Sequence, residues 1–154
     1  MAEVVLQDRI ASAGLADLIV VDSAGTGDWH VGYPADERAR GTLARHGYLD
    51  EPESSQHQAR QINFTWMAEL DLILAMDIKN YVDIEKMIQQ SGFDPELTML
   101  RSFDPELSQL EVPHPELDVP DPYYGSGDGF TDVLKMIERA TDGFISQLPA
   151  RLNR

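Results

Sequence analysis

The chain predicts an α/β fold: a small parallel sheet covered by helices on both faces, three layers α/β/α, in one domain spanning residues 1–154. Three observations carry this expectation. Two short runs, Leu18–Val21 and Leu72–Met76, are apolar at every position, as strands buried on both faces are. Segments of helical period separate and follow them, and strands alternating with helices argue for parallel pairing. Finally, 154 residues with 42% hydrophobic content suit a single core of ordinary size.

The elements follow in order. Glu3–Ala13 carries Val4, Val5, Ile10 and Ala11 near helical spacing, and Gly14 is a stop. Leu18–Val21 reads as the first strand, and Gly25–Gly32 as a Gly-rich loop. Pro34 and Asp36 introduce a helix that runs to about His46, with Gly47 behind it. Pro52–Gln58 is a polar connection, and Asn63 caps a short helix that ends near Glu69. Leu72–Met76 is the second strand, Lys79–Gln90 a helix and Thr98–Arg101 a short third strand. Phe103–Gly129 is a long loop rich in proline and acids, and Phe130–Leu148 is the closing helix. A connection of that length inside a compact domain is usually functional or disordered. Here its end carries an acid between prolines and aromatics, which favours function.

Composition removes whole classes. Twenty-seven acids against twelve bases leave a formal charge of −15. That field repels phosphate backbones, so neither nucleic acid nor an anionic membrane is an expected partner. The longest apolar runs are far too short to span a bilayer. No basic stretch leading into an apolar segment marks a signal peptide, so the expected location is cytoplasmic. There is no cysteine, which excludes disulfides, thiol chemistry and cysteine-ligated metal within these residues. His30, His46 and His114 show no ligand spacing, and no metal site is expected. Arg38, Arg40, Arg45 and Arg60 read as a solvated face.

The most informative motif is Asp121-Pro122-Tyr123-Tyr124, followed by Gly125. Pro122 fixes its own φ and holds Asp121 extended, so a carboxyl is presented from a stiff turn beside two aromatic faces. An acid in that setting suits proton donation to the leaving oxygen of a flat aromatic substrate. A plain surface turn with two half-buried tyrosines is the alternative.

With this motif the chain resembles the low-molecular-weight protein tyrosine phosphatases over its whole length. The matching segments are Met1-Ala2-Glu3, Val21-Asp22-Ser23-Ala24-Gly25-Thr26, Trp29 with Gly32 and Pro34, Arg45-His46-Gly47, His57 with Ala59-Arg60-Gln61, Leu72–Asp77 and the Asp121 tetrad. The resemblance implies hydrolysis of a phosphotyrosine-bearing protein or small aromatic phosphate through a phosphocysteine intermediate, with no metal or organic cofactor. It implies that Asp121 is the general acid, that Trp29, Tyr123 and Tyr124 line the substrate cleft, and that Ser23 and His57 support the phosphate-binding loop. Asp77 matches as well, with no role assigned.

One departure is as informative as the match. In the family a first, central strand ends in a Cys-x5-Arg-Ser/Thr loop, and a segment like Met1-Ala2-Glu3 follows it. This chain begins at that segment. The resemblance therefore implies an N-terminally truncated domain, lacking the thiolate, the arginine fork and the nest of backbone N–H groups that hold the anion. An overlooked upstream start is the expected cause. Without those groups the chain is expected to be inactive, Ser23 and His57 to be orphaned, and the two apolar runs to flank a slot one strand wide. A non-catalytic phosphatase-like binding module is the alternative reading. An arsenate reductase relative is a poorer one, since its redox cysteines have no counterpart here. Oligomeric state and the choice between phosphotyrosine and phosphoarginine are not legible.

Overall fold

The computed structural model describes residues 1–122 and 128–153. Four helices and two strands make its frame: α1 (Ala2–Ser12), α2 (Glu37–Arg45), β1 (Leu72–Ala75), α3 (Ile78–Ser91), β2 (Glu96–Met99) and α4 (Gly129–Leu152). Short 3-10 turns fill the connections, notably Phe64–Ala68, Leu100–Phe103, Pro105–Leu107 and Pro115–Leu117.

Local chemistry starts and stops these helices. Asp36 accepts a hydrogen bond from the Arg38 N–H and caps α2, and Asp128 does the same for α4 through the Thr131 N–H. Asn63 caps the 3-10 turn through Thr65 N–H, as its position predicts. Behind α2, Gly47 takes φ +81°, and the Tyr48 N–H reaches back to the Leu43 carbonyl. That left-handed step is open to glycine at little cost. α4 runs four residues beyond the expected end, through Pro149, whose exposed position costs one backbone hydrogen bond without breaking the helix.

β1 and β2 pair in parallel, with Leu72 opposite Glu96 and Ala75 opposite Met99. Side chains alternate across β1. Ile73 and Ala75 join Met67, Ile84, Met99 and Leu117 in a core under α3. Leu72 and Leu74 face the other way, onto Leu6, Phe103, Phe144 and Leu148 from α1, α4 and the Leu100–Phe103 turn. A further cluster of Val5, Leu43, Leu134 and Ile137 joins α1, α2 and α4. Helices thus cover both faces of a parallel sheet, the expected α/β/α arrangement. No described helix is long and apolar enough to cross a membrane.

Two strand expectations need correction. Leu18–Val21 is not a strand: Leu18 closes a turn onto Leu15, and the next residues carry no regular structure. Leu18 and Val20 are 71% and 95% exposed, while Ile19 and Val21 lie against the Leu6–Phe103–Phe144 cluster. The run keeps the alternation of a strand but finds no described backbone to pair with, and a ladder needs two partners. No backbone hydrogen bond joins it to β1, whose only described ladder partner is β2. The strand expected at Thr98–Arg101 begins two residues earlier, at Glu96, because Leu100–Phe103 winds into a 3-10 turn that buries Leu100 and Phe103.

Candidate active site

Between the Gly-rich loop, the segment 57–60 and the first turn of α3 lies an open cleft of about 390 Å³, with Ser23, Trp29, His57, Arg60 and Asn80 on its walls. Backbone hydrogen bonds fix the loop. Gly25 N–H donates to the Arg60 carbonyl and Ile62 N–H to the Gly25 carbonyl, at 2.8 and 2.9 Å. Further along, Gly32 N–H donates to Ala59 and Ala59 N–H to Tyr33, both at 2.8 Å. The loop is therefore held at both ends.

Trp29 rises from the middle of that loop and is 72% exposed. Its six-membered ring lies directly on Gly27, where a Cβ would sit 2.2 Å from the nearest ring carbon. Only a residue without a side chain allows this contact. The indole is a wall of the cleft.

Ser23 and His57 are not orphaned, contrary to expectation. Glu3, in the first turn of α1, accepts from both on one carboxylate oxygen: Ser23 Oγ–H donates to Oε2, and His57 Nδ1–H donates to the same atom at 3.1 Å. Glu3 Oε1 accepts from the Gln7 side chain at 3.2 Å. The carboxylate and the imidazole are 18% and 27% exposed, so this node is largely shielded from water. Arg60 completes it, donating to the Ser23 carbonyl at 3.1 Å and pairing with the Asp22 carboxylate. Its guanidinium stacks 5.3 Å from the centre of the Trp66 ring. Because the serine donates to the glutamate and not to the histidine, the node is not a relay for a nucleophilic serine. It is a scaffold tying α1 to both sides of the cleft. Sequence reading missed Glu3, which lies 54 positions from His57; its place in the matching segment Met1-Ala2-Glu3 was the available signal.

Asp121 comes from another direction. The loop that bears it is fastened to the carboxyl end of β1: Val119 N–H donates to the Met76 carbonyl at 2.7 Å, and Asp118 Oδ1 accepts from Ile78 N–H at 2.8 Å. Asp77, with no role in the sequence reading, caps α3 through Asn80 N–H at 2.6 Å. Two aspartates thus occupy the donors that open α3, and Asn80 on that first turn faces the cleft. Asp121 is exposed on its turn and is not among the described residues lining the cleft. Tyr123 and Tyr124 lie outside the described residues.

An open parallel sheet flanked by helices, with a Gly-rich loop and an acid-bearing loop gathered near one end of it, defines an α/β protein of the kind that receives a ligand outside the carboxyl ends of its strands. The family model described as low molecular weight phosphotyrosine protein phosphatase matches residues 1–154. The chain belongs to this family of protein-tyrosine-phosphatase hydrolases. It is 40% identical over 147 residues to the low molecular weight protein-tyrosine-phosphatase of Streptomyces coelicolor, covering 95% of this chain and 83% of that protein. Among solved structures it is similar to a protein tyrosine phosphatase from Entamoeba histolytica, with TM-score 0.78, 28% identity and coverage of 97% and 87%. It is also similar to DARP, a Drosophila arginine phosphatase, with TM-score 0.81, 27% identity and coverage of 96% and 87%.

Proposed function

We propose that these residues supply the acid, the aromatic wall and the supporting scaffold of a phosphotyrosine phosphatase site, and that they are catalytically silent without a nucleophile. The observation that carries the reading is the Glu3–Ser23–His57 node, which holds the Gly-rich loop and Trp29 around one cleft. A site kept in this order suits an aromatic phosphomonoester: Trp29 offers a face to the phenyl ring, and Tyr123 and Tyr124 are proposed as further walls. Asp121 is the proposed general acid.

The reaction in that reading has two steps. A thiolate attacks phosphorus, the P–O bond to the phenol breaks, and Asp121 gives its proton to the departing oxygen. Water then attacks the phosphocysteine, Asp121 takes back a proton, and the thiolate leaves with phosphate free. No cysteine exists among the 154 residues, so the thiolate is not theirs to provide. A strand-and-loop segment of the form Cys-x5-Arg-Ser is what the site needs, and the side of β1 facing away from β2 has no described ladder partner. Ser23 and His57 are proposed to support such a loop through Glu3.

The proposed substrate is a phosphotyrosine protein or a small aromatic phosphate, and the proposed location is the cytoplasm. Neither nucleic acid nor membrane is a proposed partner, given the −15 charge. A non-catalytic module that binds through the same cleft is the second reading, and the missing thiol is the observation that favours it. One experiment separates them. The chain alone, and the chain joined to a Cys-x5-Arg-Ser segment, are assayed on phenyl phosphates of graded leaving-group pKa. The phosphatase reading expects turnover only in the joined protein. It expects Asp121→Asn to lower that turnover about 10²–10⁴-fold for poor leaving groups and less for good ones. A joined protein that folds and shows no turnover favours the binding module; a small, flat loss across the series removes Asp121 from the chemistry.

A further inference from the structure

We infer that Arg101 is a positioning residue for Asp121, holding the acid loop at a fixed distance from the sheet; this rests on the phosphatase reading of the site. Arg101 sits in the 3-10 turn Leu100–Phe103, immediately after β2. Its Nη1 donates to two backbone carbonyls of the acid loop, Glu116 at 3.1 Å and Asp118 at 2.6 Å. Those carbonyls flank Leu117, which is fully buried in the core under α3. Asp118 then spends its side chain on Ile78 N–H, and Val119 spends its N–H on the Met76 carbonyl. The loop is fastened at residues 116, 118 and 119, and Arg101 supplies the only side-chain donor among these ties.

Between the last tie and the acid lies little freedom. Pro120 and Pro122 bracket Asp121, each fixing its own φ and holding the residue before it extended. Beyond the acid, Pro122 lies against Gly129 at the start of α4, within 3.6 Å of where a Cβ would stand there. A shift at Asp118 is therefore passed along a stiff tripeptide to the carboxyl group of Asp121. Displacement of a catalytic group by about 1 Å can cost about 10²-fold in rate.

Stability alone does not explain this arginine. Its Nε is buried without a hydrogen-bond partner among the described residues, and an unsatisfied buried donor opposes folding. A methionine of similar reach would fill the space without that penalty. What the arginine provides, and methionine does not, is one amino group, Nη1, whose N–H bonds grip two carbonyls of a neighbouring element.

The test has two arms, each with Arg101→Met and Arg101→Lys. In the chain as it stands, amide hydrogen exchange is followed at Ile78 and Val119, with α4 amides and urea unfolding as the global reference. Arg101→Met is expected to speed exchange at those two amides roughly tenfold or more while α4 keeps its protection, with Arg101→Lys between it and the parent. Unchanged protection at both amides overturns the inference. In the chain joined to Cys-x5-Arg-Ser, Arg101→Met is expected to lower kcat roughly tenfold or more for poor leaving groups, with KM held, and to add nothing in an Asp121→Asn background. A loss equal for all leaving groups, or additive with Asp121→Asn, also overturns it. A joined parent with no turnover sinks the phosphatase reading, and the exchange arm then decides the role of Arg101 in placing the loop.

Discussion

His57 Nδ1 lies 3.1 Å from Glu3 Oε2, the atom that also accepts from the Ser23 hydroxyl, so one carboxylate oxygen serves two residues 34 positions apart. Hydrogen bonds to a charged acceptor contribute about 1.5–3 kcal/mol each, and both partners here are mostly shielded from water. Glu3→Ala removes the shared acceptor. It should lower unfolding stability by about 1–3 kcal/mol in urea titration. A change below about 0.5 kcal/mol would reduce the node to a surface contact.

Gly143 sets a contest between helix propensity and space. Alanine is better than glycine in a helix interior by about 1 kcal/mol. At this position, however, a Cβ would stand 1.9 Å from the backbone carbonyl oxygen of Phe103, which cannot swing aside as a side chain can. Overpacking of this kind costs about 1–3 kcal/mol or more. Gly143→Ala should therefore destabilise the chain by differential scanning calorimetry, against the sign that propensity alone gives; a rise in Tm would show that α4 can move off the Leu100–Phe103 turn.

Gly27→Ala addresses the cleft wall without touching the core. The added methyl displaces the Trp29 ring, which is already open to solvent, so stability should change by less than about 0.5 kcal/mol. In a Trp66→Phe background, acrylamide quenching of Trp29 fluorescence should rise. Identical quenching in the two proteins would mean the indole does not rest on Gly27.

Tyr48 gives a pH dependence of known sign. Its hydroxyl donates to Glu138 Oε1 at 2.6 Å, and burial followed by that carboxylate pushes the phenol from 10.0 up to about 12. Between those values the unfolded chain has released the proton and the folded chain still holds it. Stability therefore falls as pH rises through that window, and the contribution is complete only below pH 10. Tyr48→Phe should flatten this slope in urea midpoints measured across the window. An unchanged slope would assign the alkaline loss to other groups.

What the sequence made legible was what short-range chemistry decides. Asn63, Asp36 and Gly47 do their work within a few residues of themselves, and each stands where its neighbours predict. Leu18–Val21 failed for the opposite reason. Apolar, β-branched residues set a preference for extended backbone, but a ladder is a property of two segments, and the run cannot report its neighbour. β2 slipped by two positions because Thr98-Met99-Leu100-Arg101 is apolar enough for either a strand or a turn, and burial of Leu100 and Phe103 decides between them. Trp29 and His57 were singled out through their motif neighbours, the first as a cleft wall and the second as loop support, and both line the cleft. Glu3 and Arg101 were not, because each acts on groups brought near only by folding.

Among the described residues β1 pairs through β2 alone, which has a consequence at the bench. A row of backbone donors and acceptors without partners is a template for adhesion between molecules. A formal charge of −15 opposes such contact, and that repulsion reaches only about 8 Å at physiological ionic strength and about 3 Å in 1 M salt. Salt, added to most preparations to keep proteins dispersed, should make this one sticky. Light scattering should rise with sodium chloride at constant protein concentration, and dilute buffer should be the better home for it.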